Sequence, residues 1–362
     1  MPPASHREID DAAALLKKGG VVAFPTETVY GLGAEVSHPP GVARIFEIKK
    51  RPLDHPLIVH FADASWLSHW AREVPPQARR LAERFWPGPL TLILPRSRHV
   101  PENVTGGQET VGLRIPDHPV AFALLKELGP DRALAAPSAN RFGHVSPTTA
   151  AHVREEFGDE LDMILDGGPC QVGLESTIVG FNGQTAVILR PGGIQLAALM
   201  EVLNGNVVLS QGAERPVRVP GALPSHYAPA TPLELLPADH LWRRVVELEA
   251  KGMRVALMGW QRYSPPRHRP ENESIVFSAM PGEPEEYARQ LYATLRRLDR
   301  QHFDRLLVEM PPETAAWVAI TDRLRRASSR TYSGAVAVQT GEQSSSSVAQ
   351  EDENKTIYGQ TG

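Results

Sequence analysis

Short apolar runs cut by proline and glycine alternate with amphipathic stretches along most of this chain. Ile9 to Lys18 predicts a first helix, closed by Gly19-Gly20. Val21-Val22-Ala23-Phe24 predicts a buried strand, and Pro25 ends its pairing, so Thr26, Glu27 and Thr28 leave the sheet as a polar turn. Tyr30-Gly31-Leu32-Gly33 follows, its glycines allowing close backbone approach or positive φ. Ala43, Ile45, Phe46 and Ile48 predict a short helix running into Lys49 and Arg51, where Pro52 forbids continuation. Leu57 to Phe61 is a second apolar run, with His60 near its end. Hydroxyls, two cations and a histidine at the ends of buried elements predict a pocket for an anion and a substrate.

The alternation continues. Trp66 to Trp70, Pro76 to Phe85, His118 to Leu128, the stretch after Thr148 or Thr149 up to Phe157, and Ile194 to Leu203 predict helices. Leu90 to Leu94, the run ending at Arg114, Leu134 to Ala136 and Met163 to Leu165 predict strands, and the loop Pro101 to Thr110 separates two of them. Ser176 to Phe181 and Ala186 to Leu189 flank Asn182-Gly183, a hairpin signal. Helices and strands mixed with hairpins predict an α/β (α+β) fold with a mixed sheet. Between Gly212 and Ala230 the composition shifts to prolines, which reads as a linker. Yet Ser225-His226-Tyr227-Ala228-Pro229 is more polar and aromatic than a mere spacer needs, so a stiff spacer and a lid both stay open. Leu233 to Leu236, Val255 to Met258, Ser274 to Phe277 and Leu306 to Val308 then alternate with helices near Leu241 to Glu249, Pro284 to Asp299 and Thr314 to Arg326. That order predicts a smaller three-layer, Rossmann-like α/β domain with a parallel sheet. It carries no Gly-x-Gly-x-x-Gly turn, so no dinucleotide site is read there. The expected division is 1–211, a linker or lid at 212–230, a second domain at 231–335 and a disordered tail at 336–362.

Composition narrows the function. The 362 residues suffice for two domains, with 41% hydrophobic and 22% charged residues, a globular balance. Lys plus Arg total 38 against 42 Asp plus Glu, so no global basic bias announces nucleic-acid binding. The single cysteine, Cys170, excludes an intrachain disulfide and any multi-cysteine metal site. No apolar stretch reaches bilayer-spanning length and the N-terminus reads as a surface helix, so no membrane association and a cytoplasmic location are expected.

Beyond pattern, Pro25-Thr26-Glu27-Thr28-Val29-Tyr30-Gly31-Leu32-Gly33, Lys49-Lys50-Arg51-Pro52 and Pro56-Leu57-Ile58-Val59-His60 stand in order. They are followed by Phe85-Trp86-Pro87-Gly88-Pro89-Leu90-Thr91, Val111 to Pro116, Ala136 to Asn140, Gly173 to Ile178 and Leu189-Arg190-Pro191-Gly192. This series resembles the YrdC-like threonylcarbamoyl-AMP synthase family, in its long form with an additional C-terminal α/β domain. The resemblance implies a twisted mixed sheet around a concave, positively charged groove, with the His226-Tyr227-Ala228-Pro229 linker crossing back over it as a lid. It implies condensation of L-threonine, bicarbonate and ATP to threonylcarbamoyl-adenylate and pyrophosphate. The product would go to a separate threonylcarbamoyl transferase that modifies tRNA beside the anticodon. Such chemistry needs no protein nucleophile, only positioning and preorganised charge.

Matched residue by residue, the resemblance places Lys49, Arg51, His55, Thr110, Ser138, Asn140, Ser146, Arg190 and Tyr227 on ATP. It places Thr28, His60, Arg114, Ala136 and Ser176 on L-threonine, with Arg114 as the carboxylate clamp. His55 stands where the family often has asparagine, and a pH dependence near neutrality is expected from it. Mg2+ is expected with ATP, no organic cofactor is, and no carboxylate cluster in the motifs names metal ligands. Alternative readings are a double-stranded-RNA or tRNA-binding module built on Arg44, Lys49, Lys50 and Arg51, a carbamoyl-transfer maturation protein and a phosphate-loop NTPase. One cysteine excludes the zinc part of the second, and the absence of Gly-x-x-x-x-Gly-Lys-Ser/Thr argues against the third. Gly106-Gly107-Gln108, the tripeptide of peptide-release factors, is too short to carry a reading.

Overall fold

The computed structural model describes residues 4–210, 217–221, 226–260 and 274–335, with 329–335 as backbone alone. Pro216, Pro224, Ser225 and the tail from residue 336 lie outside the described residues.

Helix α1 (His6–Lys17) starts on a reciprocal cap, in which the Ser5 hydroxyl accepts from the Glu8 amide and Glu8 accepts from Ser5. Strands β1 (Val22–Phe24) and β2 (Gly31–Glu35) pair antiparallel. Neither Gly31 nor Gly33 has positive φ. Both serve close approach: a Cβ at Gly31 or Gly33 would lie 3.0 or 2.8 Å from the Phe24 ring. Helix α2 (Pro39–Lys49) ends with Lys50 in the left-handed region. Then come β3 (Ile58–His60), α3 (Leu67–Trp70), α4 (Pro76–Phe85), β4 (Leu90–Pro95), α5 (Glu102–Thr105), β5 (Thr110–Arg114), α6 (Pro119–Leu128) and β6 (Leu134–Ala136). Helix α7 (Ala150–Phe157) is capped by Thr149, and β7 (Met163–Ile164), β8 (Thr177–Asn182), β9 (Thr185–Arg190), α8 (Leu196–Val202) and β10 (Val207–Leu209) complete the first unit.

These strands form one mixed sheet in the order β10-β9-β8-β4-β5-β3-β6-β2-β1-β7. The two faces of β1 show why the sheet is buried on both sides: Val22 and Phe24 pack with α1 and α6, while Ala23 faces the core of α2, α4, α7 and α8. Pattern reading misses β2, whose glycines read as a turn, and also α5 and β10. One turn beside two glycines has no periodicity to detect, and β10 is a three-residue edge with Val208 exposed. Helix α8 begins later than expected because both backbone groups of Ile194 are committed to the Thr177 hydroxyl, at 2.8 and 2.9 Å.

The second unit comprises β11 (Leu233–Leu236), α9 (Ala238–Glu249), β12 (Val255–Trp260), β13 (Ile275–Met280), α10 (Pro284–Asp299), β14 (Arg305–Glu309) and α11 (Val318–Ala335). Its sheet, ordered β11-β14-β12-β13, is parallel throughout. Helix α9 covers one face, and α10 with α11 the other. This is the three-layer arrangement expected from the alternation. The α10–α11 core also takes in Val29, Val145, Leu174 and Tyr227, so it continues into the first unit.

Candidate active site

The cleft lies on one face of the large sheet. His60 on β3 pairs with Arg114 on β5, and Ile58 pairs with Ala136 on β6. Because side chains alternate along a strand and pair across it, these four share a face. The turn Thr26 to Val29 covers it from the end of β1, and Ser138, Ser176 and Arg190 close the other side. All residues assigned to L-threonine, namely Thr28, His60, Arg114, Ala136 and Ser176, line this single cavity.

Its electrostatics divide in two. On the side of Thr28 and His60, Arg114 is buried, donates from Nη2 to Thr28 Oγ1 at 2.9 Å and from Nε to the Gly88 carbonyl at 3.3 Å, and sits 2.7 Å from Glu27 Oε1. That last contact is ionic rather than an aligned hydrogen bond, since the Glu27 carboxylate accepts none among the described residues. Nη1 makes no hydrogen bond among the described residues, leaving one prong of the fork for a carboxylate. His60 Nδ1 lies 3.0 Å from the Ile58 carbonyl. Burial, with Arg114 adding to it, lowers its pKa to about 3, so it stays neutral.

The other side is rich in cations, with Glu175 as the carboxylate in its lining. Lys49, Arg51 and Arg190 are all buried, and none lies within 4 Å of a carboxylate among the described residues. Arg51 donates to the Pro56 carbonyl at 2.9 Å, leaves Nε unpaired, and lies 5.7 Å from the Phe142 ring centroid. Burial lowers its pKa to about 10, still cationic at neutrality. Arg190 donates to the Ser176 carbonyl and hydroxyl and to the Pro220 carbonyl. Buried charges without counter-ions are costly, and a bound anion offsets that cost.

The structure separates the rest of the predicted nucleotide set. Arg51, Ser138, Arg190 and Tyr227 line the cavity. Lys49 does not: its ammonium donates to the carbonyls of Ser138 and Asn140, tying down their loop from beneath. Burial, then Arg51, holds its pKa well below the usual lysine range. Asn140 also shapes that loop, through the Arg141 and His144 carbonyls, with Oδ1 left unpaired. Ser146 donates to Glu175 at 2.7 Å. His55 is half-buried against Phe142 at 5.1 Å, and burial with Arg51 lowers its pKa, which moves the expected titration to the acid side. Thr110, at the opposite end of β5 from Arg114, lines a separate apolar cavity instead.

Residues 217–221 and 226–230 lie over this site. Gln108 exchanges two hydrogen bonds with the Arg218 backbone, at 2.8 and 3.0 Å, which gives the glycine turn at 106–108 a local use. His226 and Tyr227 are buried at the cleft, with His226 Nδ1 and the Tyr227 hydroxyl unpaired. Burial lowers the His226 pKa to about 3. Thus closed, the cavity measures only about 50 Å³. Glu175 carries no role in the sequence reading and His226 none beyond its place in the lid, although each adjoins an assigned residue.

His60 and His226 make acid stability predictable. Their folded pKa values lie below the ordinary 6.5, so the stability of the neutral forms is complete above that pH and is lost as pH falls toward about 3. At pH 5.5 each histidine is expected to cost roughly 1.4 kcal/mol. Urea unfolding between pH 7.5 and 5.5 reads this directly; a flat profile contradicts the buried neutral assignment.

Among the described residues no helix is long and apolar enough to cross a membrane. Residues 14–192 match the Sua5, YciO and YrdC family profile, described as telomere recombination, and residues 194–329 match one described as threonylcarbamoyl-AMP synthase, C-terminal domain. A threonylcarbamoyl-AMP synthase of Pyrococcus abyssi is 40% identical over 328 residues, covering 88% of this chain and 93% of the relative. Its counterpart in Bacillus subtilis is 40% identical over 333 residues, covering 88% and 92%. The crystal structure of P. abyssi Sua5 complexed with L-threonine superposes with a TM-score of 0.80 at 38% identity, covering 90% of this chain and 95% of that one.

Proposed function

This chain belongs to the threonylcarbamoyl-AMP synthase family, and from that premise we propose how its cleft carries out the synthase reaction. L-threonine binds through its carboxylate to Arg114, beside Thr28, His60, Ala136 and Ser176. Its deprotonated amine attacks the carbon of bicarbonate, and water leaves, giving the carbamate. A carbamate oxygen then attacks the α-phosphorus of ATP, and pyrophosphate departs. Arg51 and Arg190 face the phosphates, with Ser138 and Tyr227 beside the nucleotide and Lys49, Asn140 and Ser146 holding the loops that present them.

The observation that carries this reading is the pairing, inside one cavity, of an arginine with one open prong and two further buried arginines, Arg51 and Arg190, neither within 4 Å of a carboxylate among the described residues. A site for RNA backbone alone would not bury its cations beneath a linker. Because nucleotide-sized ligands need several hundred Å³, the segment at 212–230 acts as a lid that opens for ATP. Residues 1–211 then form the catalytic unit, and 231–335 the second domain. Mg2+ arrives held by the phosphates. Among the described residues no three His, Cys, Asp or Glu side chains cluster as a protein cage for it. The adenylate passes to a separate transferase acting on tRNA. The test is the dependence of pyrophosphate release on each substrate: release from ATP requires L-threonine and bicarbonate together.

A further inference from the structure

The second domain reaches into the cleft. Arg323, on α11 and 1% exposed, donates from Nε to Glu175 Oε2 at 2.7 Å and from Nη2 to the Pro191 carbonyl at 2.9 Å. Its guanidinium lies 5.1 Å from the centroid of the Tyr227 ring. From α10, the Tyr292 hydroxyl donates to Glu175 at 2.9 Å while its ring stacks on Tyr227, centroids 5.9 Å apart. One turn along, Arg296 donates to the Val145 carbonyl at 2.5 Å and to Glu156 at 2.9 Å. The packing is close: Gly173 adopts φ +77°, and a Cβ there would lie 2.5 Å from the Arg289 Cα.

These contacts fall on one half of the site. Val145 precedes Ser146, Pro191 follows Arg190, and Glu175 accepts from Ser146. Neither Arg323 nor Tyr292 bonds to Thr28, His60, Arg114, Ala136 or Ser176; Ser176, next to Glu175, is held by Arg190 and Thr91. Glu175 itself lines the cavity as a buried carboxylate. An arriving triphosphate would meet that charge unneutralised were Arg323 absent, and Glu175 would then turn to its other cationic neighbour, Arg190.

We propose that Arg323 and Tyr292 are positioning residues for the nucleotide: by holding Glu175, the Arg190–Pro191 turn and Tyr227, the second domain sets ATP affinity without setting L-threonine affinity. This deepens the synthase reading, on which it rests for the identity of the ligand. Arg323 does not touch the reacting atoms.

Calorimetric titration of the full chain with an α,β-methylene ATP analogue plus Mg2+, and separately with L-threonine, tests it without turnover. Arg323→Met is expected to weaken the analogue by about tenfold or more and L-threonine by less than about twofold. Adding Glu175→Gln to Arg323→Met removes the uncompensated charge and recovers most of the analogue affinity. Tyr292→Phe, which deletes one hydroxyl, weakens the analogue by about threefold with the same selectivity. Should Arg323→Met not fold, the double variant and Tyr292→Phe decide, since neither buries a new unpaired charge. Equal losses for both ligands, or unchanged analogue affinity in Tyr292→Phe, overturn the proposal. Selective loss in a wild-type background that releases no pyrophosphate would sink the reaction assignment instead and leave the positioning role standing.

Discussion

Arg114→Ala is expected to raise the L-threonine requirement on the order of a hundredfold while moving the ATP requirement less than about twofold. A carboxylate held by a fork of charge-assisted hydrogen bonds loses roughly 3 kcal/mol with that fork. The same change has a second effect inside the protein. Glu27, 2.7 Å from Arg114 and with a carboxylate that accepts no hydrogen bond among the described residues, becomes a buried carboxylate without a counter-ion. Breaking such a pair costs about 3–5 kcal/mol of stability. Glu27→Gln added to Arg114→Ala is therefore expected to restore most of the stability and none of the threonine affinity. Steady-state kinetics with each substrate varied, beside urea unfolding, separates the two effects. Equal loss for ATP and L-threonine contradicts the assignment of Arg114.

Arg51→Met is the mirror image. The cation faces the cleft with Nε unpaired, the Pro56 carbonyl as its hydrogen-bond acceptor and the Phe142 ring centroid 5.7 Å away, so without an anion its desolvation is only partly compensated. Its loss is expected to raise the ATP requirement by about a hundredfold, as a charge-assisted phosphate contact disappears. Stability of the ligand-free protein should rise by about 1 kcal/mol, because an apolar side chain of similar size replaces a buried charge. Two arginines in one cavity thus give opposite stability signs and opposite substrate selectivity. A global role for both in holding the fold would instead lower stability in both variants, and a fall in the melting temperature of Arg51→Met would show it.

Much of this was legible because strand-end chemistry is local. Pro25 ends β1 and forces Thr26 to Thr28 out of the sheet, and Leu57 to Phe61 and the run ending at Arg114 read as strands without structural help. Once they pair in register, His60 and Arg114 must share a face. Two things lay out of reach. The direction of a long side chain was one: Lys49 reads as a phosphate ligand at a helix end, yet the left-handed turn at Lys50 accompanies its burial under the Ser138–Asn140 loop. Contact across the domain boundary was the other. Arg323 belongs to an ordinary amphipathic helix in sequence, and its partner Glu175 is 148 residues away. No periodicity encodes such a pair. Glu175 sat inside a quoted motif without a role, because its meaning depends on three donors from elsewhere.

The most direct measurement is pyrophosphate release from ATP by the full chain, with L-threonine and bicarbonate supplied singly and together. Release that needs both, with threonylcarbamoyl-adenylate as the accompanying product, is the predicted result. Release with neither would make the cleft a nucleotidase, and no release from a folded protein that binds tRNA would contradict the synthase account.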